Sequence, residues 1–372
     1  MATGKSALLS SDIFVPHVSR VRANAGQLVG LHVRHKALAS AASMRASPGK
    51  GRVVLFVHGG HVPVVPAFDL DYKDYSWMAY LARAGFRVYG MDLSGYGSSP
   101  RPMMDDPANV TAEFQPLLIP TQLKAPCPPN YPFKSHTIRS DWAEMDTVID
   151  HLRRLHRVKK VSLIGWSGGG SRCGGYASLH PEKVERMVLF APAILDPGLK
   201  EIPEQPGPGA PTTLQTRAAF EKERWDPDVG REGQVAPGVR DAVWKQIMQW
   251  DRIGASWGPP GAGGVIRAPA RTRGWNPAMA RKVKSPVLII VGDHDKPHER
   301  GRQTYDLLRV RDKAFVEVAF GSHFMAFEKQ RHVLHSGSLE WLAKGRINGE
   351  RRGTFNVDWN GGYSADQAIA TA

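Results

Sequence analysis

The stretch LIGWSGGGSRCGG, residues 163–175, decides how this chain is read. An apolar run ends in a serine flanked by glycines, and more glycines follow. Neither a helix interior nor a strand takes so many glycines without cost, because each adds backbone freedom that folding must remove. They make sense where the backbone bends sharply and side chains would collide. Gly165-Trp166-Ser167-Gly168-Gly169 fits G-x-S-x-G. It directly follows the buried-strand pattern KVSLIGW and directly precedes a helix start. A strand-to-helix turn of this kind lifts a serine hydroxyl above the sheet. The residues two before and two after must be nearly free of side chain, and the next backbone N–H points at whatever the serine attacks.

Outward from this turn, the chain alternates strand and helix patterns. RVVLFVHGG (52–60), FRVYGMDLSGYGSS (86–99), ERMVLFAPAI (185–194), SPVLIIVGD (285–293) and AFVEVAF (314–320) are short apolar runs, most of them ending at glycine. They read as buried parallel strands. Between them lie helical patterns at 74–85, at 140–156 with Ser140 as N-cap, near 300–310, and through Leu339–Gly345. Residues 12–36 alternate around Asn24-Ala25-Gly26 as an antiparallel hairpin, and a small-residue linker follows it. The expected fold is α/β: a mostly parallel eight-stranded sheet with helices on both faces. Its core spans 1–195 and 281–345. Residues 196–280, rich in Pro and Gly, form an inserted helical cap; five of the ten tryptophans fall within 225–275. A Pro-rich excursion at 100–139 should border the pocket, and 346–372 reads as an irregular tail.

Composition narrows the function classes. The 42% hydrophobic content supports a sizeable core, and no apolar run reaches the ~18 residues of a membrane span. The N-terminal MATGKSALLSSDIF lacks the apolar stretch of a secretion signal. Two cysteines, Cys127 and Cys173, cannot build a disulfide framework, which points to a reducing, cytoplasmic setting and inert thiols. The net charge of +14 raises nucleic acid as a partner, but the basic runs are short and carry no aromatic groove motif. A basic surface favouring neutral or anionic small substrates is the better reading. A homo-oligomer is compatible with the sequence.

A serine hydroxyl needs a base, and the base needs an orienting acid. His323, in the loop GSHF directly after a strand, is the expected base; most other histidines fall within helical or hairpin patterns. For the acid, VLIIVGDHDKP offers Asp295, favoured because it lies further out in its loop, and Asp293; Asp196 follows another strand. DHDKPHE is too crowded and uncomplemented to be a metal site, so no metal or cofactor is expected. Two N–H groups should receive the oxyanion: Gly168, and Gly60 in the His58-Gly59-Gly60 loop, with His61 next to it. Trp166, Trp244 and Trp250, with His61, are candidate pocket residues; the tryptophans read equally well as packing for the cap.

With HGG after one strand, DLSGYGSS after the next, the serine turn, GDHD and GSHF in that order, the chain resembles the α/β-hydrolase superfamily over roughly 50–345. The resemblance implies a Ser167–His323–Asp295 triad, an oxyanion hole at Gly60 and Gly168, and a lid at 196–280. It departs at Gly168, where many members carry a larger residue. A carboxylic-ester or lactone hydrolase is the expected function. A C–C bond hydrolase of a diketone or ring-cleavage product, using the same residues, and a non-catalytic small-molecule binding protein are the alternatives.

Overall fold

The computed structural model describes residues 7–39, 52–192, 196, 198, 199, 201–295 and 298–365. The linker at 40–51, positions 193–195 and residues 366–372 of the expected tail lie outside the described residues. The strands are β1 Leu8–Val18, β2 Leu28–Leu38, β3 Val53–Val57, β4 Arg87–Met91, β5 Val161–Trp166, β6 Val184–Phe190, β7 Thr213–Thr216, β8 Val265–Ala268, β9 Val287–Gly292, β10 Lys313–Val318, β11 Gly353–Val357 and β12 Tyr363–Ala365. The longer helices are α1 Trp77–Arg83, α2 Ile138–His156, α3 Gly168–Leu179, α4 Val239–Gln249, α5 His298–Leu307 and α6 Arg331–Lys344.

Ten strands form one sheet in the order β1-β2-β4-β3-β5-β6-β9-β10-β11-β12. The strands from β4 to β11 in that order run parallel, and the β1–β2 hairpin joins antiparallel at one edge. All eight expected strands are among the ten. Every residue of β3, β5 and β9 is buried, as a strand covered on both faces must be. Alternation then sorts the side chains of β3. Val54 and Phe56 join the core under α1 and α6 with Trp77, Leu81 and Trp341. Val53, Leu55 and Val57 join the core under α2, α3 and α5 with Met145, Val148, Tyr176 and Tyr305. The extra glycines after the serine turn serve this second core. A Cβ at Gly174 would lie 2.4 Å from the Trp275 ring, and one at Gly175 would lie 2.3 Å from that of Trp142. Two indoles thus lie flush against the α3 backbone.

Four expectations are corrected. Thr137, not Ser140, is the N-cap of α2; Ser140 is the third helical residue and its hydroxyl returns a bond to the Thr137 N–H at 3.1 Å, a reciprocal capping box. The 346–372 segment is not an irregular tail throughout: β11 pairs parallel with β10 and β12 pairs antiparallel with β11. Its short polar strands lack the long apolar runs by which the other strands are read. The 100–139 excursion packs beneath the inserted segment rather than lining the cavity at Ser167. Val110 and Leu118 meet Leu214, Trp257 and Val265, and Arg267 joins Asp251 at 2.6 Å to Asp105 at 2.7 Å. The inserted segment also carries the antiparallel pair β7–β8, so it is not wholly helical.

Phe355 of β11 is buried against Tyr363 at the sheet edge. Phe355→Ala is expected to lower the unfolding free energy by about 3 kcal/mol in urea denaturation, against about 0.5 kcal/mol or less for a residue in a loose tail.

Candidate active site

Ser167 sits between the last residue of β5 and the first of α3, with φ 55° and ψ −119°. A side-chain-bearing residue held there costs of order 1–3 kcal/mol. Neighbouring backbone enforces it. Ser167 N–H donates to the Phe190 carbonyl at 2.9 Å, and the Gly170 N–H donates to the Ser167 carbonyl at 2.9 Å. A Cβ at Gly165 would meet the Gly169 carbonyl oxygen at 2.5 Å, and one at Gly169 would meet the Val57 oxygen at 2.0 Å. The glycines two before and two after the serine are therefore required by contact.

The loop after β3 closes on the same point. Gly59 lies so near that a Cβ there would stand 2.9 Å from Ser167 Cβ. Gly60 N is 3.8 Å from where a Gly168 Cβ would be. The two N–H groups singled out from the sequence are thus neighbours beside Ser167, and among the described residues neither meets an acceptor. His58 anchors this loop. Its Nδ1–H donates to the Gly59 carbonyl at 2.7 Å, and its Nε2 accepts the Leu93 N–H at 3.2 Å. Burial pushes its pKa down to about 4, so the ring is a neutral structural spacer.

Of the three candidate acids, Asp295 faces His323. Its two oxygens lie 3.1 and 3.2 Å from His323 Nδ1, and its side chain is buried. Asp293 is exposed, 4.0 Å from His294; Asp196 meets Arg273 at 3.4 Å. The His323 loop is tied to the serine turn by Trp166, whose Nε1–H donates to the His323 carbonyl at 2.9 Å. Among the described residues no hydrogen bond joins Ser167 Oγ to the imidazole.

A cavity of about 280 Å³ opens on Ser167, Gly168, Gly60 and His61. Of the candidate pocket residues only His61 lines it. Trp166 is buried among Phe68, Phe190, Phe324 and Phe327. Trp244 donates to the Gly263 carbonyl at 2.9 Å within the inserted segment, and Trp250 lies against His32 and Arg34. These indoles pack the fold and do not line the cavity. Its wall carries Arg172, Arg224, Arg271 and Arg273, with Tyr96 and Trp275 as its aromatic side chains.

Residues the sequence did not single out complete the site. Arg172, one turn into α3, is buried with Nε 2.7 Å from Asp141 Oδ2. Its Nη1 would stand 3.2 Å from a Cβ at Gly168. Asp141 is held below the usual carboxylate range: burial opposes its charge, and His136 and Arg172 outweigh that. Glu144, on the same face of α2, accepts the Ser94 N–H at 2.9 Å, and burial pushes its pKa up to about 8. Glu328 supports the His323 loop from below. It accepts Ser322 N–H at 3.2 Å and the Ser322 hydroxyl, and from the inserted segment Trp225 Nε1 at 2.9 Å and Gln234 Nε2 at 3.0 Å. The spacing of Arg172 from the turn was a legible signal; nothing near Glu328 in the chain announces its partners.

The sequence matches the alpha/beta hydrolase fold family over residues 52–330, well over half of the chain. The protein belongs to this family. No curated protein matches its sequence. Among solved structures it is similar to a serine hydrolase involved in carbazole degradation, at 18% identity and TM-score 0.52, covering 90% of this chain and 99% of that one. It is also similar to a meta-cleavage product hydrolase from Pseudomonas fluorescens IP01, at 15% identity and TM-score 0.51 over 90% and 99% of the two chains. The 2-hydroxy-6-oxo-6-phenylhexa-2,4-dienoate hydrolase of Rhodococcus sp. strain RHA1 is a third, at 13% identity and TM-score 0.51 over 90% and 100%. At these identities the likeness is one of fold.

Two buried carboxyls give stability predictions. Native Glu144 keeps its proton to about pH 8, whereas unfolded Glu loses it near ~4.3. Between those values the unfolded chain binds fewer protons, so this group makes stability fall as pH rises, by up to about 1.4 kcal/mol per unit. Glu144→Gln is expected to remove that fall in denaturant melts run from pH 5 to 8. Glu328→Gln turns an acceptor of four donors into a partial donor, with an expected loss of about 1–3 kcal/mol in the same assay.

Proposed function

We propose that the protein is a serine hydrolase that cleaves a carboxylic ester or lactone through an acyl-enzyme at Ser167. The observation that carries this reading is the strained Ser167 turn, pressed against Gly59 and bordered by the Gly60 and Gly168 N–H groups, which meet no acceptor among the described residues. Ser167 attacks the substrate carbonyl, and His323 Nε2 takes its proton. Asp295, against Nδ1, fixes the tautomer and stabilises the imidazolium. Gly60 and Gly168 N–H groups receive the developing oxyanion. His323 then returns the proton to the leaving alkoxide, and water, activated by the same imidazole, releases the acid. The Ser167–His323 bond is one that forms on substrate binding, since catalytic hydrogen bonds tighten in the loaded site.

A second reading, C–C bond hydrolysis of a diketone, is favoured by the cationic wall. Such a cleavage expels a carbanion equivalent, whose charge the arginines beside Ser167 would stabilise.

An organophosphonate is expected to form a single covalent adduct on Ser167, read by peptide mass spectrometry, and Ser167→Ala to take hydrolysis of small 4-nitrophenyl esters to background, a loss of at least about 10³-fold. An unlabelled Ser167, or a variant of near-normal rate, excludes the mechanism. Comparing those esters with a vinylogous diketone separates the two readings.

A further inference from the structure

The cavity at Ser167 holds more cationic charge than the protein itself satisfies. Two of its four arginines are spoken for: Arg172 lies 2.7 Å from Asp141, and Arg273 lies 3.4 Å from Asp196, which is also the acidic side chain of the wall. Arg224 and Arg271 meet no carboxylate within ion-pair distance among the described residues. The hydrogen bonds of the Arg224 side chain are two long ones, at 3.4 Å, to His61 Nδ1 and Gln215 Oε1. Arg271 makes none with a described residue and lines the same cavity.

This arrangement costs stability. Arg271 is exposed and keeps its water, so the cost falls on Arg224, which is partly buried and has a carboxylate, Asp228, near it but none at ion-pair distance among the described residues. Burial, with Arg271 adding repulsion and Asp228 opposing, pushes the Arg224 pKa down to about 10, so it remains charged at neutral pH. His61 does not add to the charge; burial, Arg224 and Arg271 together push its pKa down to about 3. The wall therefore presents two unmatched guanidinium groups, a neutral imidazole and the N–H groups beside Ser167. The cavity volume, about 280 Å³, lies just below the ~300 Å³ at which pockets for drug-sized ligands begin, so the occupant is small. Planar guanidinium donors match a carboxylate two bonds at a time.

We propose that Arg224 and Arg271 are specificity-determining residues that bind a free carboxylate on the substrate, so that the enzyme acts on small acids carrying a hydrolysable acyl bond. The inference rests on the acyl-transfer reading for its reaction, and on the unmatched charge for its substrate class. The carboxylate supplies, at ion-pair distance, the partner that neither guanidinium has among the described residues. Its binding also holds the reacting carbonyl at a fixed distance from Ser167, which converts recognition into orientation.

The test pairs a charged substrate with its neutral counterpart of similar length: 4-nitrophenyl hydrogen glutarate against 4-nitrophenyl valerate. A second pair, 4-butanoyloxybenzoate against phenyl butanoate, places the carboxylate on the leaving group. Wild type is expected to favour the charged ester of at least one pair by about tenfold or more in kcat/KM, and Arg271→Met or Arg224→Met to lower that ratio about tenfold. Arg224→Lys keeps the charge and should retain part of the preference. Arg271 is exposed, so its variant folds and decides the matter even where Arg224→Met does not. Calorimetric titration with glutarate, against glutaramide as the uncharged control, reads the site without catalysis. Glutarate binding that weakens with salt and is lost in Arg271→Met, with neither ester turned over, keeps the carboxylate site and ends the acyl-transfer reading. Ratios near one in both pairs, or a charged-ester preference unchanged in Arg271→Met and Arg224→Lys, overturns the proposal.

Discussion

The close approach of Gly169 to the Val57 carbonyl is the constraint on which the rest of the site depends. The backbone at 169 stands where any Cβ would lie 2.0 Å from that oxygen, so the start of α3 is pressed onto the end of β3. Gly165 is pressed on Gly169 in the same way. With both neighbours fixed, the residue between them has no relaxed conformation available, and Ser167 is left at positive φ with its hydroxyl outside the sheet. The strain is borne by strands buried along their whole length, which have no means of shifting to relieve it.

The groups around this turn are joined across distant parts of the chain. Trp166 reaches the carbonyl of His323, 157 residues on. Glu328 gathers four donors, two from Ser322 next to His323 and two from Trp225 and Gln234 in the inserted segment. Glu328 thereby ties the inserted segment to the loop carrying the imidazole. On the opposite side, Asp141 of α2 pairs with Arg172 of α3, and Arg172 also donates to the His58 carbonyl at 3.4 Å. The His323 loop is braced by an acid taking neutral donors, the cavity wall by an ion pair. Both are buried, and breaking either leaves groups that water cannot reach.

The inserted segment is part of the fold rather than an appendage. Phe220, Trp225, Val243 and Trp244 continue the core that lies under α1 and α6. Its outer half rests on the 100–139 excursion through Val110, Leu118, Leu214 and Trp257. The tryptophans that the sequence offers as an aromatic pocket are consumed by this packing. What remains for the cavity is a set of four arginines beside Tyr96 and Trp275, and that changes the substrate that suits it.

The sequence by itself determined the sheet, its two helical layers and the serine turn, because each is written locally. Buried parallel strands show as short apolar runs, helices as 3.6-residue periodicity, and the turn as glycines at fixed offsets from Ser167. The candidate serine, acid and histidine could be picked out for the same reason, each standing next to a readable strand end. The tertiary structure alone decided which acid faces His323, where the tryptophans go, that Gly353–Val357 extends the sheet, and which arginines are left unmatched. These are questions of which side chains meet across separations from tens to hundreds of residues or along a newly formed edge. Charge pairing and packing are settled by distance in space, and distance in space exists only once the chain has closed on itself.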